Sequence, residues 1–144
     1  MGWPPGSEFD RAKVKKGSTA QRHAMSDSSI ASGPERRRGG LEPAKKQNLS
    51  NLVSYEPGSV VSRTIIQHKT GTVTLFAFDE GEELSEHTAA YDALLEVIEG
   101  EVAVTISGVP NEMKEGEAII LPAGKPHAVR ATTKFKMLLT MIRE

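Results

Sequence analysis

The chain has no cysteine, which rules out disulfides, thiolate metal sites and a cysteine nucleophile at once. It also has no long hydrophobic run: no apolar stretch approaches the roughly 20 residues that span a bilayer. Basic residues near the start have no apolar segment behind them, and none follows Arg36-Arg37-Arg38, so neither a secretory nor a twin-arginine signal is read. These absences predict a cytoplasmic protein. A convincing amphipathic helix is missing too, although 84–96 contains good helix formers such as Ala89, Ala90 and Leu95. Ser85 and Ser107 have no base at a recognisable spacing, which removes support for a serine nucleophile.

The 144 residues give room for one domain, and the formal net charge of −1 hides two unlike segments. Residues 1–48 sum to +5 and residues 49–144 to −6. An acidic body offers no electrostatic reason to bind nucleic acid. The first 48 residues are rich in Gly, Pro, Ser, Lys and Arg, with no hydrophobic period. They are predicted to be a disordered tail, because they cannot bury enough apolar surface to offset the entropy of ordering. Gly6-Ser7-Glu8-Phe9 reads like cloning-derived sequence, and Met25 offers an alternative start. Asn48-Leu49-Ser50 matches a glycosylation sequon that is given no weight without a secretory signal.

From Leu49 the texture changes to short apolar runs punctuated by Gly, Pro and Asn. Strands are predicted at 60–67, 73–78, 94–98, 101–106, 118–121 and 135–142, with a turn over 107–111. In the second of these, Val73, Leu75 and Ala77 take one face and Thr74, Phe76 and Phe78 the other. The last strand is apolar on both faces, which predicts cover by another sheet or subunit, and hence a homodimer formed through sheet faces. Short strands at this spacing indicate an all-β sandwich or barrel.

The centre of the chain is Gly116-Glu117-Ala118-Ile119-Ile120-Leu121-Pro122-Ala123-Gly124-Lys125-Pro126-His127. It reads as a glycine turn, a strand apolar enough to be covered on both faces, and a Pro/Gly reversal with positive φ at Gly124. His127 then opens the next strand, on the same face as Val129. The spacing G-x5-P-x-G-x2-H resembles the second motif of the cupin (RmlC-like jelly-roll) superfamily, although Ala131 stands where that family usually has asparagine. Upstream, Gly81, His87 and Gly100 fit the first cupin motif, G-x5-H-x-H-x3-E-x6-G, while Ala89 and Ala93 replace its second histidine and its glutamate. The ending at 135–142 adds to a likeness with small single-domain cupins of mostly unassigned reaction.

The resemblance covers about 49–144 and implies an antiparallel double-stranded β-helix, a jelly-roll barrel, behind the tail. It also implies that His87 and His127 line a pocket, where Tyr91, a phenolic donor or rim residue, and Asp92, one residue before the motif carboxylate, are the further candidates. The two imidazoles would hold a divalent transition metal (Mn, Fe, Ni or Zn), with water or Asp92 completing the site. Glu86, beside His87, should face the opposite way. Alanine has no donor atom, so positions 89 and 93 cannot bind a metal. The expected function is a cupin-domain pocket for a small molecule; the alternative is a metal-dependent dioxygenase or isomerase, and a third option is an inert oligomer-forming barrel.

Overall fold

In the computed structural model, residues 14–16 and 40–143 are described. They form ten strands: β1 (Val14–Lys16), β2 (Val60–His68), β3 (Gly71–Phe78), β4 (Glu83–His87), β5 (Ala93–Glu99), β6 (Glu101–Ile106), β7 (Val109–Lys114), β8 (Ala118–Leu121), β9 (His127–Ala131) and β10 (Phe135–Ile142). A six-stranded sheet, β1-β2-β3-β10-β5-β8, faces a four-stranded one, β4-β9-β6-β7. All pairings are antiparallel except that of β1 with β2. This is the all-β jelly roll expected from the strand spacing and motif.

Register lays the interior out in rows. On the six-stranded sheet, Thr72, Met141, Ala93 and Leu121 are successive cross-strand partners, and Thr74, Leu139, Leu95 and Ile119 form the next row. Phe76 and Phe78 continue the inward face of β3, with the Phe78 ring 4.6 Å from that of Phe135. The opposing sheet contributes Leu84, Val102, Val104, Val129 and Ala131 to the same cluster. Side chains buried this way contribute roughly 1.5–3 kcal/mol each, which is what holds two amphipathic sheets face to face.

The outward face of β3 carries Leu75 and Ala77, as its alternation requires, and they join Val61 and Ile65 in a second cluster. The chain covers this cluster itself: Leu41, Leu49, Leu52, Val53 and Tyr55 pack on it. The packed unit therefore begins before Leu49, while 1–13 and 17–39 of the expected tail lie outside the described residues. Asn48 of the apparent sequon caps a short 3-10 helix (Leu49–Leu52), its Oδ1 accepting from the Ser50 N–H at 3.0 Å.

A half-buried polar knot pins this cover in place. The Lys136 ammonium, on the outward face of β10, donates to the Ser50 carbonyl (2.5 Å) and lies 3.7 Å from Glu99 Oε2 and 4.9 Å from the centre of the Tyr55 ring. Glu99 accepts from the Ser50 and Tyr55 hydroxyls. Burial works to raise the Glu99 pKa, but those two hydrogen bonds and the Lys136 charge outweigh it and hold it low. Tyr55 is pushed up, by burial first and then by Glu99.

Three expectations are corrected. The turn at 107–111 is only Ser107-Gly108, both with positive φ, as a two-residue hairpin demands. Pro110 lies inside β7, which tolerates it as the edge of its sheet. β8 is not covered on both faces: it is an edge strand, with Ile120 57% exposed. Finally, the outward face of β10 is covered at one end by the 41–55 segment rather than by another sheet. At its other end a row remains open across five strands, formed by Ile66, Val73, Thr140, Leu94 and Ile120, with exposed Ile142 beside it.

Candidate functional site

Two loops bring the histidines together. The β4–β5 loop joins His87 to Ala93, and the β8–β9 loop joins Leu121 to His127; Ala93 and Leu121 are themselves cross-strand partners. The loops are tied to each other, because Gly124 N–H donates to the Ala89 carbonyl (2.9 Å) and Ala123 N–H to Asp92 Oδ1 (2.8 Å). Gly124 takes a φ of +78° at the reversal, as the sequence requires. Below it, Ser107 N–H donates to the Pro126 carbonyl at 2.8 Å, which fixes where β9 begins.

His127 and His87 are register partners across β9 and β4. On β9 the alternation is regular, so His127, Val129 and Ala131 all point inward. On β4 strict alternation from buried Leu84 would turn His87 outward. A register shift between Leu84 and His87 adds the extra residue that turns it in, and Glu86 stays exposed as expected. The two rings lie 4.5 Å apart between centres, edge to face at 72°.

The protonation of the pair is set by the backbone. His87 Nδ1 is 3.0 Å from the Ser85 carbonyl and His127 Nδ1 is 3.2 Å from the Lys125 carbonyl. Each Nδ1 must carry the proton to donate, which puts the lone pair on Nε2, and both Nε2 atoms are buried. His127 is only 1% exposed. Burial, then the neighbouring His87, push its pKa down to about 4, partly opposed by the Lys125 carbonyl. At neutral pH His127 is therefore an uncharged imidazole, the form that binds metals.

The other expected site residues fall differently. Tyr91 is half-buried and packs against the interior cluster, at the same end as the histidines. Asp92 is exposed, and its carboxylate clamps the β8–β9 loop through Ala123. Among the described residues no three His, Cys, Asp or Glu side chains group as a metal would need. Ala89 and Ala93, the two replaced motif positions, are both buried, so small apolar side chains fill where donors would otherwise project. The donor set thus fits a two-nitrogen site and no more.

A profile for the cupin domain matches residues 74–143, which includes both histidines and both loops. The chain belongs to the cupin family. A conserved protein of unknown function from Streptococcus pyogenes is 33% identical, with a TM-score of 0.70 over 73% of this chain and 92% of that one. A cupin superfamily protein from Desulfitobacterium hafniense is 25% identical, with a TM-score of 0.69 over 76% of this cupin and 99% of the other. An uncharacterized protein of Aquifex aeolicus is 26% identical over 103 residues, 70% of this chain and 85% of that one. These similarities fix the fold while assigning no reaction.

Proposed function

We propose that this cupin binds a small molecule at the His87/His127 end of its barrel, with the two Nε2 atoms holding an exchangeable divalent metal (Mn, Fe, Ni or Zn). The observation that carries this is the pair of adjacent imidazoles, each oriented by a backbone carbonyl so that its lone-pair nitrogen is inside. Catalytic zinc sites commonly use three protein ligands, so two nitrogens with waters make a weaker and faster-exchanging site. The reading predicts that metal loads to one per chain and leaves completely on dialysis against a chelator. Metal retained through that dialysis contradicts the two-ligand site. Oxygen uptake by the loaded protein would move the assignment to the second reading, a metal-dependent dioxygenase; aldose–ketose or epimer interconversion would move it to an isomerase. The reading places the binder in the cytoplasm, in keeping with its lack of cysteine.

The same reading includes a homodimer. The open row Ile66, Val73, Thr140, Leu94 and Ile120 contains no charged side chain, and a two-fold axis through it would set the row against its own copy. Ile120→Asp should convert a dimer to a monomer in light scattering while leaving the fold intact, since Ile120 is exposed. A wild-type protein that is monomeric at micromolar concentration would overturn this part.

A further inference from the structure

Inside the barrel, two hydroxyls are out of keeping with their surroundings. Thr72 is 2% exposed and Thr74 4%, and neither Oγ1 has a hydrogen-bond partner among the described residues. A buried hydroxyl left unpaired is costly, and valine would fill the same space without that cost. Toward β10, β5 and β8 their rows are apolar, with Met141, Ala93 and Leu121 beside Thr72 and Leu139, Leu95 and Ile119 beside Thr74, while on β2 their partners are the uncharged Gln67 and Thr64.

Their place in the fold gives them something to face. The row of Thr72 ends at Ala93 and Leu121, from which the two loops lead directly to His87 and His127. The hydroxyls and the imidazoles are therefore at the same end of the barrel. Across it, β7 at one edge of the smaller sheet contacts β5, so β4 at the opposite edge lies over the β2–β3 side. His87 on β4 and the threonines on β3 are thus on the same side as well as at the same end.

We propose that Thr72 and Thr74 are specificity-determining residues, hydrogen-bonding a compact neutral ligand with an apolar body and hydroxyl or carbonyl oxygens on one edge. This rests on the pocket reading above and names the ligand class for that pocket. Residues two apart on a strand have their Cα atoms about 7 Å apart, so the two hydroxyls can serve two oxygens across a six-membered ring. The rows around them supply apolar walls from β10, β5 and β8, and no charged side chain on either side.

The test uses cyclohexane-1,4-diol and hydroquinone as probes, with cyclohexane-1,4-dicarboxylate as the charged comparison, on the full chain and its Thr72→Val/Thr74→Val variant. The parent, freed of metal, should bind a neutral probe and reject the dicarboxylate, as read by chemical-shift perturbation and calorimetry. The double variant should melt no lower than the parent yet bind the probe at least tenfold more weakly. Equal probe binding by parent and variant overturns the role of the threonines while leaving the pocket in place. A variant that melts lower than the parent also overturns it, since the hydroxyls would then be satisfied within the protein. No binding of either neutral probe, with cobalt still loading on the histidines, overturns the ligand class alone. Loss of both cobalt and probe binding overturns the pocket reading with it.

Discussion

Gly100→Ala should lower the melting temperature by about 15 °C or abolish folding, a larger effect than Gly124→Ala. Gly100 links β5 of one sheet to β6 of the other with no intervening loop, and does so with φ at +84°. A Cβ there would collide with the Lys134 carbonyl oxygen and lie 2.7 Å from Phe135 Cα, both backbone atoms that cannot rotate aside. The left-handed conformation costs a non-glycine residue roughly 1–2 kcal/mol, and forced displacement of a packed neighbour another 1–3. A total of about 3 kcal/mol corresponds to that shift in a domain of this size. Gly124→Ala is the matched comparison. It has φ of +78° but open space where the Cβ would go, so it should cost only about 1 kcal/mol. Equal losses at the two positions, measured by denaturant unfolding, would show that the crossing between sheets is not the tight point.

The metal-free protein should lose about 3 kcal/mol of stability between pH 7 and pH 4, and a His127→Gln variant should lose much less. His127 has a folded pKa of about 4, against an ordinary value near 6.5. Between these values the unfolded chain takes up a proton that the folded chain refuses, so lowering the pH favours unfolding. The contribution is complete above about 6.5, lost progressively as the pH falls, and exhausted below about 4. The Glu99 and Asp79 carboxylates are both held low, Asp79 chiefly by the Gly58 and Glu80 N–H groups. Their losses set in only as the pH nears their ordinary values of about 4, leaving the window from 6.5 to about 5.5 to histidine. Urea midpoints at half-unit pH steps would read this directly. A flat profile for the parent across that window would mean that His127 is not buried in its neutral form.

Much of this was legible in the chain because it depends on local chemistry. β6 and β10 follow from alternation and turn residues, and the positive φ at Gly116 and Gly124 from the absence of a side chain. His127 could be placed inward from Val129 alone. His87 could not, because its direction depends on a register shift in β4 that period-two reading does not contain. The spacing of Asp92 makes it a ligand candidate, whereas the loop geometry that engages its carboxylate with Ala123 is tertiary. The inward face of Thr74 was readable from Phe76 and Phe78, but its lack of a partner depends on the surrounding rows. Likewise Lys136 stands out in an apolar strand, yet its partners Ser50, Tyr55 and Glu99 lie 86, 81 and 37 positions away in sequence.

The most direct test of the histidine pair is elemental analysis of the purified protein, dialysed against buffered manganese, iron, nickel or zinc, beside the His87→Ala/His127→Ala variant. One of these metals near one per chain in the parent, and none in the variant, is the predicted result. The absence of metal from the parent under all four conditions, or the same content in both proteins, would contradict a site built on these two imidazoles.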